Sequence, residues 1–590
     1  MRYKFLAIVI VFLFFVLRAT PIIASESIKG NDEILESVLV VTKRGIDSSE
    51  QSSSTIKLKQ ENLNNLNQEH IQETLNSIPG VHYQRGNGQE MLGAIRSPVF
   101  TGAGSCGAFL ITQDSIPIRA SGFCNVNQLF ETHFEDAASI ELQKGPGNSY
   151  FGSNALHGIV NINTKYPFET PNTLAYSLGS DNYHQFLFSR SFSSQNERHP
   201  ERRNQLYEKT HALSAVLTKD GGFRDESDYE QQKLNYRYLQ KKSDSKLDAG
   251  ISLTHLDQQT AGFIRGPDAY LDSQISTSNP TPEAYRQAKS LRGWLRYDKQ
   301  ITANRSINLT PYLRYTDMDF LQHFLPGDPL EQNGQFSIGI LSNQQAEITD
   351  TQSISFGLDA EWTNAFLKQT QDTPTQGSPF LMETIPLGTH YDYDVDASQI
   401  GVFIDYDLDI SPSLNLKAQT RLASIKYDYD NQMLDGRTRD DGSDCGFGGC
   451  RYSRPADRTD RFNNWNASFS LEKNLTDEQS LFFKVARGYR TPQATELYRL
   501  QREQRVADLD STVLSGVEVG YRISDSKNTR YQLDVNLYAQ KKKNVIFRDT
   551  DFFNISDGQT EHHGLELTGS FNITPELLLS TNWNLSLIHI

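Results

Sequence analysis

Beyond residue 170 the chain alternates. Tyr531, Leu533, Val535, Leu537 and Ala539 fall on one side of an extended segment, and Gln532, Asp534, Asn536 and Gln540 on the other. Ile400, Val402, Ile404, Tyr406, Leu408 and Ile410 alternate with Gly401, Asp405, Asp407 and Asp409 in the same way. Leu247, Ala249, Ile251 and Leu253 do so against Asp248, Ser252 and Thr254. A period of two with one apolar side describes a β-sheet with one face against a nonpolar medium. About seventeen such segments follow one another, each of ~10 residues or more, the length of a membrane-crossing strand rather than a globular one.

Connection lengths choose between a barrel and a sandwich. Numbered from Asn172, odd segments are mostly followed by long connections, at 259–286, 318–333, 367–395, 430–461, 489–509 and 544–558. Even segments are mostly followed by tight turns, at Lys241–Ser245, Ile301–Asn304, Ile410–Pro412 and Ile573–Pro575. Every long connection then lies on one side of a meander, as in an outer-membrane barrel with short periplasmic turns and long outer loops. The connection 194–208 breaks this parity, being long and charged on the short-turn side. A sandwich has no reason to keep such parity, and a β-helix would need a short repeat that the sequence lacks.

Composition agrees and excludes alternatives. A chain of 590 residues is too long for one ordinary domain. Only 37% is hydrophobic and the mean hydropathy is −0.54, which excludes a bundle of transmembrane helices. Thirty-two Phe, 26 Tyr and 39 Gly suit strands whose lipid-facing residues alternate with polar ones. A net charge of −15 argues against a nucleic-acid binder, which needs a basic face for phosphates.

The start of the chain sets the compartment. Arg2 and Lys4 precede an apolar run from Phe5 to Leu17, and Ala24-Ser25 follow. The run is too short for a spanning helix, which needs ~20 residues. It fits a secretory signal peptide over residues 1–24, with an uncleaved anchor helix as the alternative. In an exported chain Cys106, Cys124, Cys445 and Cys450 are expected as two disulfides, and proximity pairs Cys106 with Cys124 and Cys445 with Cys450. Neither pair has CxxC spacing or a neighbouring His, so no zinc site is expected, and His562-His563 is assigned to a strand. Ser105 lacks the GxSxG frame of a nucleophile elbow, so no hydrolase is expected there.

Three regions follow the leader. Residues 25–59 are polar apart from Glu36-Ser37-Val38-Leu39-Val40-Val41-Thr42. Residues 60–166 mix α and β: Ile71, Leu75 and Ile78 keep helical spacing until Pro79-Gly80, and short apolar strands are predicted at Ala108–Ile111, Ser139–Leu142 and Ile159–Ile162. Residues 167–590 carry the long alternating strands.

These residues carry a resemblance. Glu36–Thr42 resembles a TonB box, and Leu75–Val81 (LNSIPGV) resembles the first helix of a plug domain. Glu141-Leu142-Gln143-Lys144-Gly145-Pro146, Tyr150–Ala155 and Gly158-Ile159-Val160-Asn161-Ile162 resemble, in order, the closing plug motif. Gly488-Tyr489-Arg490-Thr491-Pro492 resembles a barrel-strand exit. The chain is therefore similar to the TonB-dependent outer-membrane receptors.

The resemblance implies a mainly β fold, an antiparallel transmembrane barrel of about 22 strands with an N-terminal α/β plug in its lumen. It implies an active importer and no enzyme, most often for a ferric siderophore, with cobalamin, haem or thiamine as alternatives; a passive porin or an adhesin fits less well. The expected partners are TonB with its inner-membrane energising complex, a small-molecule ligand and outer-membrane lipid, with no cofactor, metal site or nucleic acid. Glu36–Thr42 would be the handle that TonB grips by strand addition. The Gly-rich connections Val99–Gly107 and Arg119–Asn127 would be the apical plug loops. Arg96, Arg119, Phe123, Asn125, Tyr489 and Arg490 are the expected ligand-facing residues.

The chain departs from the family pattern at Ile95-Arg96-Ser97 and Gln113-Asp114-Ser115, where Arg-Gly and Asp-Gly are usual. Gln493–Tyr498 replaces the Asn-Pro sequence of haem receptors. Leu585–Ile590 stands where a terminal aromatic strand is usual. With about seventeen strands, the expectation is that roughly five more, of ~10 residues each, follow in the native protein, and that this chain does not close a transporting barrel.

Overall fold

The computed structural model describes residues 55–66, 68–99, 105–125, 127–147, 149–194, 208–524, 530–574 and 577–589. The expected signal peptide, Glu36–Thr42 and the connection 194–208 lie outside these residues, apart from the last two residues of that connection's flanking strands.

Strands of the N-terminal region are β1 (Thr55–Lys59), β2 (Val81–Arg85), β3 (Met91–Ile95), β4 (Phe109–Gln113), β5 (Ile116–Pro117), β6 (Ala137–Lys144) and β7 (Gly158–Thr164). Five of them form one sheet in the order β1-β6-β7-β4-β5, with β4 and β7 parallel, and β2 and β3 form a separate hairpin. The helix Ile71–Asn76 buries Ile71, Thr74 and Leu75 and ends before Pro79-Gly80, where Gly80 takes φ +75°. A left-handed residue at that point is what lets the chain leave the helix and turn into β2. Apolar residues of the helix, of β6 and β7 and of Leu129 and Phe134 make one core. The sheet starts at Thr55 rather than after residue 60, because β1 pairs along β6 from Thr55·Gln143 to Lys59·Ser139.

Seventeen further strands, most of them longer, from Thr173–Leu178 to Leu577–His589, pair antiparallel in sequence order and curl around this plug. Their alternation is inside-out. On Arg305–Leu321, Asn308, Thr310, Tyr312, Arg314 and Thr316 are buried against the plug, whereas Leu313 and Tyr315 are exposed. On Tyr531–Arg548, Asn536, Tyr538, Gln540 and Lys542 are buried and Leu537 is exposed. Among the described residues no helix is long and apolar enough to cross a membrane.

The long and short connections sort to opposite ends as their parity predicts. The spans 260–284, 372–387, 432–457 and 491–511 are long, and the tight turns fall at 242–244, 303–304, 350–351 and 412–413. Three loops are shorter than expected, 322–329, 372–387 and 549–553, because the flanking strands continue past the membrane-length segment. The first and last strands are exposed along most of their length and share no ladder among the described residues, which leaves a seam.

Candidate functional site: a tyrosine cluster above a latched plug

At the long-loop end the plug presents two connections joined by a disulfide, Cys106–Cys124, with Cα atoms 5.6 Å apart. They dock on the barrel through backbone groups. Ala120 N–H donates to Gln335 Oε1 (3.1 Å) and Ala494 N–H to the Gly122 carbonyl (2.9 Å). Gly122 has φ +88°, and a Cβ there would meet the Tyr427 hydroxyl at 2.3 Å, so only glycine fits this close approach. Phe123 packs edge-on against Tyr427 at 5.9 Å, and Asn125 Nδ2 donates to Met318 Sδ (3.5 Å).

Tyrosines pack together above. Tyr391, Tyr393, Tyr427, Tyr429, Tyr452 and Tyr498 are buried in one cluster with Leu497 and Leu500. Tyr429 and Tyr498 stack with ring centroids 4.2 Å apart, and the Tyr498 hydroxyl donates to Asp460 Oδ2 (2.8 Å). Burial, then Asp460, push the Tyr498 phenol well above its ordinary value, so it stays a donor. Two loops form the roof. Tyr452–Ser453 pairs with Leu500–Gln501, and Cys445–Cys450 closes the ring at the tip of 432–457. Gln493 and Glu496 make a capping box on the helix Ala494–Tyr498.

Below the apical loops the plug is held to the wall by buried charge. Arg96, with φ +49° and a fully buried side chain, donates to Glu566 (2.7 and 2.9 Å) and Glu518 (3.0 Å) and lies 4.3 Å over the Tyr538 ring. Lys144 donates to the same Glu566 (2.5 Å) and to the Pro79 carbonyl (3.2 Å). Two cations face two carboxylates, so the cluster is neutral overall. Burial pulls the Lys144 ammonium down, against the attraction of Glu566. Gly80 sits so close that a Cβ would strike Glu566 Oε1 at 2.2 Å. Further round, Arg421 pairs with Asp359 (2.7 Å) and Arg314 with Glu361, and together with Ser115, Arg119 and Tyr150 they line a cavity of about 50 Å³ between plug and wall. That volume holds a few waters and no bulky ligand.

The expected ligand-facing residues separate into two groups. Phe123 and Asn125 stand on the apical loops, half-buried. The other four lie buried between plug and wall. Arg96 is the latch just described. Arg119 pairs with Glu131 (2.5 Å) and faces the lower cavity. Tyr489 is 1% exposed, with its hydroxyl 3.5 Å from where a Cβ on Gly152 would lie. Arg490 is held bidentately by Glu496 at 2.9 and 3.0 Å. Each is a polar residue beside a Gly-rich turn, which marks a close approach of plug to wall as well as it marks a ligand contact. The clustered tyrosines were missed, although Tyr391-Asp392-Tyr393 and Tyr427-Asp428-Tyr429 carry the period of two in plain sight. Among the described residues no cluster of three His, Cys, Asp or Glu could hold a metal ion.

Comparison with known proteins places this arrangement. Residues 47–159 match the model of the TonB-dependent receptor plug domain, and residues 218–589 that of the TonB-dependent receptor-like β-barrel. No curated protein matches the sequence. The unliganded ferric citrate transporter FecA superposes with a TM-score of 0.69 at 14% identity, over 90% of this chain and 78% of that one. The ferric yersiniabactin uptake receptor FyuA from Yersinia pestis gives 0.67 at 14% identity, over 91% and 78%. The copper transporter OprC gives 0.66 at 13% identity, over 90% and 79%.

Proposed function

This chain belongs to the TonB-dependent receptors, transporters of the Gram-negative outer membrane rather than enzymes, and from that premise we propose that it imports a bulky ferric chelate of the siderophore class. The observation that carries the reading is the separation of ligand face from passage. A cluster of buried tyrosines packs above the disulfide-tied plug loops, on the side of the long connections. Beneath them, buried ion pairs fix the plug to the wall around a water-sized cavity. A ligand larger than water then binds without passing, and passage requires work on the plug. The neighbours described as ferric citrate, ferric yersiniabactin and ferric-catecholate receptors support iron as the cargo.

The pairing of β1 supplies a path for that work. Force on Glu36–Thr42, the handle in this reading, reaches Thr55 first. Thr55 pairs with Gln143, the neighbour of Lys144, and Lys144 holds Glu566 together with Arg96. Unzipping β1 from β6 therefore begins beside the latch, where the loss of one contact unbalances a buried charge cluster.

Deleting Val38–Thr42 is expected to leave surface binding of ligand intact and to abolish accumulation in the periplasm. A protonophore should do the same to the parent receptor. Uptake by the deletion variant equal to that of the parent would refute the handle, and protonophore-insensitive uptake would refute energised import.

A further inference from the structure

The loops over the tyrosine cluster carry guanidinium groups without carboxylate partners. Arg451 and Arg502 come from the two roof loops and are joined by a hydrogen bond from Arg502 N–H to the Arg451 carbonyl (2.7 Å). Both guanidinium groups rest on one ring, that of Phe552, with Cζ at 5.3 and 3.9 Å from its centroid. Arg548 ends the strand that leads into the turn 549–553 carrying Phe552, and its Nε donates to the Asn554 side-chain oxygen, at 3.4 Å. Among the described residues none of the three has an acidic partner within salt-bridging distance.

The nearest candidate acids are engaged elsewhere. Glu503 pairs with Arg437, and Asp549 Oδ1 accepts from the backbone N–H groups of Asp551 (2.9 Å) and Phe553 (2.8 Å). That carboxylate builds the turn in which Phe552 takes φ +70°, a conformation an aromatic residue keeps only where its surroundings impose it. The ring thus serves as a fixed platform for two cations that would otherwise repel each other. Arg502 Nε is buried with no hydrogen-bond partner. Burial and then the Arg502 guanidinium lower Arg451 from its ordinary value, the mark of two cations facing each other.

We propose that Arg451, Arg502 and Arg548, set around Phe552, form an oxyanion-recognition site that takes the carboxylate face of an anionic metal chelate. A guanidinium fork matches a carboxylate bidentately, and two such forks on one ring leave their donors to an incoming oxyanion rather than to a carboxylate of the chain. The proposal rests on the importer reading and narrows its cargo from bulky chelates in general to those with a negatively charged carboxylate surface. A phosphate group shares this chemistry, whether free or on a lipid.

The test uses cells displaying the full receptor, with a protonophore present so that binding is measured apart from uptake. The probes are a ferric tricarboxylate and a neutral ferric trihydroxamate. The parent should bind the tricarboxylate, more weakly as salt rises. R451Q/R502Q at equal surface level should bind it at least about tenfold more weakly, with R451K/R502K intermediate because Lys keeps the charge and loses the fork. Inorganic pyrophosphate should compete. Competition by lipopolysaccharide alone would assign the site to a lipid phosphate and overturn the cargo. Equal affinity of parent and R451Q/R502Q, no binding of the tricarboxylate, or preference for the trihydroxamate would overturn the site itself. Protonophore-sensitive uptake of the trihydroxamate in that last case would leave the importer standing, whereas loss of all energised uptake would refute the importer separately.

Discussion

Glu566 neutralises two cations from different parts of the plug, Arg96 before β4 and Lys144 at the end of β6. Replacing it with Ala leaves Lys144 with the Pro79 carbonyl alone and Arg96 with Glu518 alone. Removing one partner of a buried ion pair costs about 3–5 kcal/mol, more than the pair contributes over an apolar substitute. The expected outcome for Glu566→Ala is plug release at clearly lower urea, read by protease cleavage between residues 60 and 166. The double change E566A/K144M should recover part of the loss, and an unchanged urea midpoint in E566A would deny the latch. Acidity tests a second residue group. Burial, then Arg85 and Lys233, hold His70 down at about 3, and burial with nearby cations holds His133 and His157 well below the ordinary value. These residues are neutral in the seated plug and take up protons when it is released. The stabilisation is therefore complete above about pH 6.5 and falls as the pH drops below it. His157→Gln should flatten the pH dependence of plug release between about pH 6.5 and 5 by about one proton of three, and an unaltered slope would remove His157 from the account.

Among the elements, the apical loops depend most on one covalent link. Cys106–Cys124 closes a separation of 18 residues, worth about 3 kcal/mol in the chain-entropy model. In C106S/C124S the amides of 105–108 and 119–125 should exchange with solvent much faster while those of β4, β6 and β7 stay protected, because the plug sheet and its core at Ile111, Ile140, Leu142, Val160 and Ile162 do not involve the link. Equal protection throughout would mean that docking on Gln335 and Ala494 alone orders the loops. The strands of the wall were legible because lipid demands one apolar face along the whole crossing. The same rule hid the tyrosine cluster. On Gly388–Ser411 the exposed apolar residues are Ile400, Val402 and Ile404, yet higher up Tyr391, Tyr393, Val395 and Ala397 are the buried ones. The apolar set changes sides where the strand leaves the membrane, since there water lies outside and the partner rings lie inside. A reading that follows the lipid-facing phase stops at that crossover and assigns the tyrosines to a loop. The latch was illegible for a different reason. Arg96 and Glu566 are 470 residues apart in sequence, and neither one's neighbours specify the other.

For the molecule as a whole, the balance between plug and wall decides how the seam behaves. Each interior strand has two neighbours, whereas Thr173–Leu178 and Leu577–His589 each have a ladder on one side only among the described residues. An unpaired edge within hydrocarbon costs several kcal/mol for each unsatisfied backbone group, so such an edge is the least stable part of a wall. The plug props the last strand from within. Asn582 Nδ2 donates to the Ser77 carbonyl (2.8 Å), and the Gly80 turn, wedged between Asn584 and Glu566, lies against the same strand. The latch and the seam are therefore one mechanical unit, with Glu566 on the neighbouring strand Asn554–Thr574 bearing on both. Hydrogen exchange on the whole chain in micelles should show alternate amides of 577–589 exchanging far faster than those of 388–411, which are laddered on both sides. Glu566→Ala should speed the exchange of 577–589 further by freeing the Ser77–Gly80 turn, and leave 388–411 unchanged. Protection of 577–589 equal to that of 388–411 would show that the seam is sealed in solution. A rise in exchange confined to the plug would show that the last strand does not lean on it.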